Sequence, residues 1–274
     1  MSARVLSSAN CKGGTGKSTV AVNLAADLAA EGFRVLVIDL DPQGHAGFGF
    51  GLAARLGRGN SHAPLLGRRV DLREAVLRSE EDEVDLLPAD RGFDGQITAQ
   101  GIRCLDDALW PLRADYDLML IDVPPAAAAL TVCALMASDG VVIPTTLDPL
   151  GLEGVRQFAR SYHRMMLQFG AAELGFAIAP MRIDLRSNVE KEVLGRLRTD
   201  FGPGQMIRGV RVDVAVSEAF ARRRPLRRHR DRARAVDDFR GLAADVVRRF
   251  GVEARPPMPV YPPRLEGFVR TPCA

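Results

Sequence analysis

Cys11-Lys12-Gly13-Gly14-Thr15-Gly16-Lys17-Ser18-Thr19 is a glycine-rich turn between two stretches of different periodicity. Ahead of it, Arg4–Ser8 is a short apolar run of strand type. Behind it, Val20, Leu24 and Leu28 recur at helical spacing among alanines, which predicts a helix over residues 17–31 with one face on a sheet. A strand, a glycine turn and Gly-Lys-Ser opening a helix together make a triphosphate site, because backbone N–H groups and the helix dipole both face the anion. Gly13, Gly14, Thr15, Gly16 and Thr19 then cradle ATP, Lys17 reaches the β and γ phosphates, and the Ser18 hydroxyl ligates Mg²⁺. Cys11 stands where the usual pattern has its first glycine.

Lys12 is the unusual member of the run, since a second lysine beside Lys17 costs like-charge repulsion unless a phosphate neutralises it. The chain's basic side chains sharpen this reading: of 37, only Lys12, Lys17 and Lys191 are lysine. Where a compact ammonium must fit between phosphate oxygens, a guanidinium fork is no substitute.

Working outward, short apolar runs alternate with helix-period stretches, the pattern of βα units. Candidate strands span residues 4–8, 34–39, 84–88, 117–122, 140–145, 175–180 and 206–212. They predict an α/β fold with a doubly wound, mostly parallel sheet of about seven or eight strands and helices on both faces. Ser187-Asn188-Val189-Glu190 has the form of a capping box and opens another helix. Val236, Phe239, Leu242, Ala243, Val246, Val247 and Phe250 mark one face of a last helix, which Gly251 is placed to stop. Two of the strands end in carboxylates. Asp39-Leu40-Asp41-Pro42-Gln43-Gly44 closes the second, and the run from Tyr116 to Pro125 delivers Asp122. Both reach the carboxyl edge of the sheet, where open α/β folds bind ligands. Asp122 holds Mg²⁺ there, usually through water.

Taken together, these segments resemble the ParA/MinD family of deviant Walker A P-loop ATPases, most closely its partition ATPases, over roughly residues 2–250. The resemblance runs on through residues 144–148, 152–154 and 181–188 and through Ser217-Glu218-Ala219. It implies that Lys12 reaches across an ATP-bound homodimer to the partner's nucleotide. It also implies that Asp41 positions or activates the attacking water and touches the Mg²⁺ shell, so that Lys12, Lys17 and Asp41 are the catalytic set. The chain departs from the family in three places: His45 replaces an asparagine, Ala126–Ala129 follow Pro125 in place of serine or glycine, and Arg211-Val212-Asp213 replaces Pro-Arg-Asn. The last change leaves the adenine contacts open. The nitrogenase iron protein shares the fold and uses two cysteines per chain for a cluster, but Cys133 lies in a helix-like apolar stretch and reads as a core thiol.

Residues 222–234 carry eight arginines against one aspartate. The net charge of +3 does not by itself argue for nucleic acid, yet this run is an electrostatic footprint for phosphate backbones with no base-reading motif beside it. Non-specific DNA binding through Arg222, Arg223, Arg224, Arg227 and Arg228 is the functional expectation, and a solvated arginine-rich loop is the alternative. No segment ahead of the first strand reads DNA sequence, so operator binding is not expected. No apolar run approaches the roughly 18 residues of a membrane span, and residues 1–10 lack a secretory pattern. The chain is therefore expected to be cytoplasmic and nucleoid-associated, with no membrane partner. Residues 1–250 are expected to form the ATPase domain. The tail over 251–274 is proline-rich, reads as extended, and makes a poor amphipathic helix. With ATP and Mg²⁺ as cofactors and a ParB-like or other adaptor to stimulate hydrolysis, the implied function is the positioning or segregation of a cargo: chromosome, plasmid or protein body. A MinD-like membrane-associated ATPase and a hydrolysis-deficient regulator are the alternatives.

Overall fold

The computed structural model describes residues 2–52, 60–68, 70–98, 101–125, 128–169 and 175–255. Among them are the strands β1 (Arg4–Ser8), β2 (Val35–Asp39), β3 (Leu77–Ser79), β4 (Val84–Leu87), β5 (Leu118–Asp122), β6 (Gly140–Thr146), β7 (Gly175–Ile183) and β8 (Val210–Arg211). They form one sheet in the order β3-β4-β2-β5-β1-β6-β7-β8. Every pairing is parallel except the hairpin of β3 on β4.

Helices cover both faces, as expected. On one side α1 (Lys17–Ala30), α7 (Val214–Ala221), α8 (Leu226–His229) and α9 (Arg234–Phe250) enclose a core that includes Leu24, Leu28, Phe239 and Leu242. On the other, α3 (Gly101–Leu109), α4 (Ala128–Met136), α5 (Pro149–Phe169) and α6 (Asn188–Phe201) enclose Leu105, Cys133, Phe158 and Leu197. The short α2 (His45–Gly49) follows the end of β2. Each large aliphatic side chain so buried contributes about 2 kcal/mol.

Three expectations are corrected. First, α1 buries more than its sheet face: its buried residues run without a break from Val20 to Ala29, because its alanines also let α9 pack against it. Second, β3 went unforeseen, since Leu77-Arg78-Ser79 has almost no apolar pattern. Its pairing comes from a turn in which Ser79 donates to Asp82 at 2.7 Å and Glu83 takes φ 55°. Third, the strand expected over 206–212 is broken. Met206 makes an isolated bridge to Ile178, and regular pairing resumes only at Val210–Arg211 after a register shift opposite Arg182. Here the backbone at Gly209 approaches the Pro180 carbonyl too closely for any Cβ.

The helix signals hold with one refinement. Ser187 caps α6 by accepting the Glu190 N–H, but the Glu190 carboxylate takes the N–H of Asp184 at 2.7 Å instead of returning to its cap. Gly251 ends α9 in the left-handed region, φ 60°. The proline-rich tail from Pro256 onward lies outside the described residues, as do Ala126 and Ala127.

Candidate nucleotide site

At the carboxyl edge of the sheet the register sets Ser8, Asp122 and Asp39 side by side across β1, β5 and β2. The glycine turn rises directly from β1. Gly14 (φ 73°) and Gly16 (φ 97°) occupy backbone conformations that disfavour any side chain, which lets the loop curl round an open centre. Gly16 is also the N-cap of α1, and it offers no side chain to the first-turn N–H groups. No acidic residue lies in that turn either. A 14-residue helix thus presents unpaired donors and the positive end of its dipole to the loop.

Lys17 is buried, and its ammonium donates back to the Lys12 carbonyl at 3.1 Å. Burial pulls its pKa below the usual lysine range, against the pull of Asp122 and Asp41 in the opposite direction. Asp122 is wholly buried, and neither of its carboxylate oxygens has a hydrogen-bond partner. Burial and the neighbouring Asp39 push its pKa well up; the nearby Ser18 hydroxyl moderates the shift without satisfying either oxygen in good geometry. An orphaned carboxylate beside a serine hydroxyl at the mouth of a phosphate loop suits hydrated Mg²⁺, which takes few protein ligands and keeps several waters. Ser18 and Asp122 are the residues that fit it.

Asp41 is also buried, and its Oδ1 accepts the Gln43 N–H at 2.9 Å. Its Oδ2 faces His45 Nδ1 at 3.8 Å, so the residue that departs from the family pattern stands beside the candidate catalytic carboxylate. Lys12 is half-exposed and ion-paired with Asp148 of its own chain at 3.1 Å. Burial disfavours charge on Asp148, but hydrogen bonds from Thr146, Gly151 and Lys12 outweigh it and hold its pKa down at about 2.

A cavity of about 300 Å³ joins Gly14, Lys17, Ser18 and Thr19 to Asp41 and His45. A second, of about 730 Å³, runs from Gly14 and Gly16 past Met181 to Val212, Val214 and Phe220. In this wall Arg211 is bound to Asp238 through a forked contact at 2.7–3.1 Å, and Asp213 caps α7. Both departures at 211 and 213 are therefore occupied structurally, which leaves the slot lined largely by apolar side chains.

The arginine run divides. Arg222 and Arg224 are exposed, while Arg223, at φ 56°, lays its guanidinium over the Phe48 ring at 5.0 Å. Arg227 is bound to buried Asp27 at 3.1 Å and to the Ala26 carbonyl, and Arg228 is bound to Glu81 and Asp82. Those two were expected to meet DNA; both are ion-paired within the chain, where α8 docks on α1 and the β3–β4 turn. Cys133 is buried, with its thiol pushed up to about 11 chiefly by burial. This agrees with a core thiol.

Asn10, Asp39, Ser61, His62 and Asp148 join the site in the folded chain without being among the residues expected there. Asn10 accepts the Lys12 N–H and donates to the Pro144 carbonyl, tying the loop to the end of β6. A sequence signal existed for Asp39, as the first carboxylate of its segment, and for Asp148, as the end of the 144–148 stretch of family resemblance.

A phosphate cradle at the edge of a parallel sheet, with an open helix end, a buried lysine and an orphaned carboxylate, defines a P-loop nucleoside triphosphatase. Residues 3–171 match the family model of an AAA domain. The chain is 33% identical to the chromosome partitioning protein ParA of Caulobacter vibrioides over 253 residues, 90% of this chain and 94% of that one. It is 34% identical to the chromosome-partitioning ATPase Soj of Thermus thermophilus over 248 residues, 90% and 96% of the two chains. Among solved structures, a protein described as cobyrinic acid a,c-diamide synthase from Mycobacterium smegmatis, with bound ATP analogue and magnesium, superposes with a TM-score of 0.75. It is 27% identical, over 91% of this chain and 96% of that one. This chain belongs to the ParA/MinD family of P-loop ATPases, and its reaction is the hydrolysis of ATP with Mg²⁺. No helix among the described residues is long and apolar enough to cross a membrane.

Proposed function

We propose that the chain is an ATP-switched dimer that binds DNA non-specifically and positions or segregates a cargo, with an adaptor protein that accelerates its hydrolysis. The observation that carries the reading is Lys12. It stands at the rim of the loop, half-exposed, with its charge held by Asp148 and not by the phosphate centre that Lys17 occupies. An ammonium so placed is free to exchange Asp148 for a nucleotide held by a second copy.

In this reading the N-terminal donors of α1 and Lys17 hold the phosphates, and Ser18 and Asp122 hold Mg²⁺, which neutralises charge on the β and γ phosphates when bound. Asp41 uses Oδ1 to fix its own turn and presents Oδ2 to orient the attacking water. In this reading unassisted turnover is slow, and the adaptor supplies transition-state stabilisation of the kind an arginine finger gives, worth about 10³–10⁵ in rate. Phe220 lines both cavities and packs 5.8 Å from Phe48, so α7 joins the nucleotide site to Arg222, Arg223 and Arg224 immediately after it. This continuity supports a DNA surface that responds to nucleotide.

Lys12→Ala tests the switch. By sedimentation and phosphate release it should neither dimerise with ATP nor turn it over as the parent does; parental behaviour in both assays would sink the reading. Co-sedimentation with plasmid DNA against liposomes, each with and without ATP, separates it from a membrane-associated role.

A further inference from the structure

Ser61 and His62 are adjacent, polar and wholly buried, far in sequence from the phosphate loop. Their side chains take two consecutive backbone carbonyls. The Ser61 hydroxyl donates to the Asp39 carbonyl at 2.5 Å, and His62 Nε2 lies 3.1 Å from the Leu40 carbonyl. His62 Nδ1 accepts the Asp90 N–H at 3.0 Å, which fixes the tautomer with its proton on Nε2, so the ring donates to Leu40. The ring also stacks on Phe93, centroids 4.3 Å apart. From the other side the Asp39 carboxylate accepts the N–H groups of Asp41 and Gly47, and the Leu40 N–H donates to the Asp122 carbonyl. Arg91 adds a bond to the Gln43 carbonyl. The backbone that carries Asp41 is thus gripped residue by residue.

We propose that Ser61 and His62 are positioning residues for ATP hydrolysis: as a two-residue clasp on the carbonyls of Asp39 and Leu40, they set where the Asp41 carboxylate stands relative to the γ phosphate. The clasp rests on the role given to Asp41 above. It touches neither the phosphate loop nor α1, so it bears on turnover and not on nucleotide binding. It also explains why a buried histidine is tolerated here: both ring nitrogens have partners, whereas an apolar residue of the same size strands the Leu40 carbonyl and the Asp90 N–H.

His62→Phe keeps the stack on Phe93 and removes both hydrogen bonds. Steady-state phosphate release should show kcat reduced about tenfold or more, as displaced catalytic groups do, with KM and the affinity for a fluorescent ATP analogue within about twofold of the parent. His62→Gln, whose amide supplies a donor and an acceptor, should recover kcat to within about threefold. In an Asp41→Ala background His62→Phe should have no further effect. Parental kcat in His62→Phe while Asp41→Ala is inactive overturns the clasp alone; parental kcat in Asp41→Ala overturns the role of Asp41 and the clasp with it. Equal losses in kcat and nucleotide affinity with no rescue by Gln also overturn the clasp. Should His62→Phe fail to fold, Ser61→Ala decides in the same assay: lower kcat at constant KM supports the clasp, and parental kcat overturns it.

Discussion

His62 can donate and accept at once only while its ring is neutral. Burial drives its pKa down to about 4, against the pull of the Leu40 carbonyl and nearby Asp90. In the unfolded chain the imidazole titrates at its ordinary 6.5. Between those values the unfolded state binds the extra proton, so the stability His62 contributes is complete above pH 6.5 and is lost as the pH falls towards 4, a change on the order of 3 kcal/mol. Asp27, with its carboxyl raised to about 6 chiefly by burial, acts in the opposite sense over an overlapping window. Comparison of the parent with His62→Gln cancels that contribution: thermal unfolding from pH 7 to pH 4 should show the parent losing more than the variant. Parallel curves would mean that His62 is not held neutral.

At the scale of elements, the segment from α7 to α8 has two kinds of arginine, and mutation should separate them. Arg227 ties α8 to α1 through an aspartate whose side chain is 4% exposed. Arg227→Ala should therefore cost about 2 kcal/mol, since it leaves a buried carboxylate without its partner. Arg222→Ala and Arg224→Ala, at exposed positions, should leave stability within about 0.5 kcal/mol. If they meet DNA, each should lower affinity uniformly across sequences and reduce the salt slope of binding by about one unit per phosphate contact. Urea unfolding and a DNA titration over salt read the two effects independently.

For the whole molecule, nucleotide is a missing part of the fold. In the proposed site, donors at the start of α1, the ammonium of Lys17 and the orphaned oxygens of Asp122 are the groups that MgATP would partner. At a hundredfold excess over Kd this stabilises by about 2.7 kcal/mol, or about 5–10 °C in Tm for a chain of this size. Thermal shift should show the rise with ATP and Mg²⁺, a smaller one with ATP and EDTA, and none in Lys17→Ala. Much of this was open to reading in residue order. The turn from Cys11 to Thr19 specified its own geometry, because glycines, a lysine and the opening of an apolar helix act on the phosphate through neighbours in the chain. Strands that end in Asp39 and Asp122 announced the edge on which they meet. What the linear order could not carry were partnerships between distant segments: Ser61 and His62 on the carbonyls of β2, Lys12 on Asp148, Arg227 on Asp27, and a terminal helix that turns α1 from a surface helix into core. Local patterns determine which backbone each stretch adopts, whereas the partner of a buried charge or an unpaired carbonyl is chosen by how the stretches pack, and only the folded chain contains that choice.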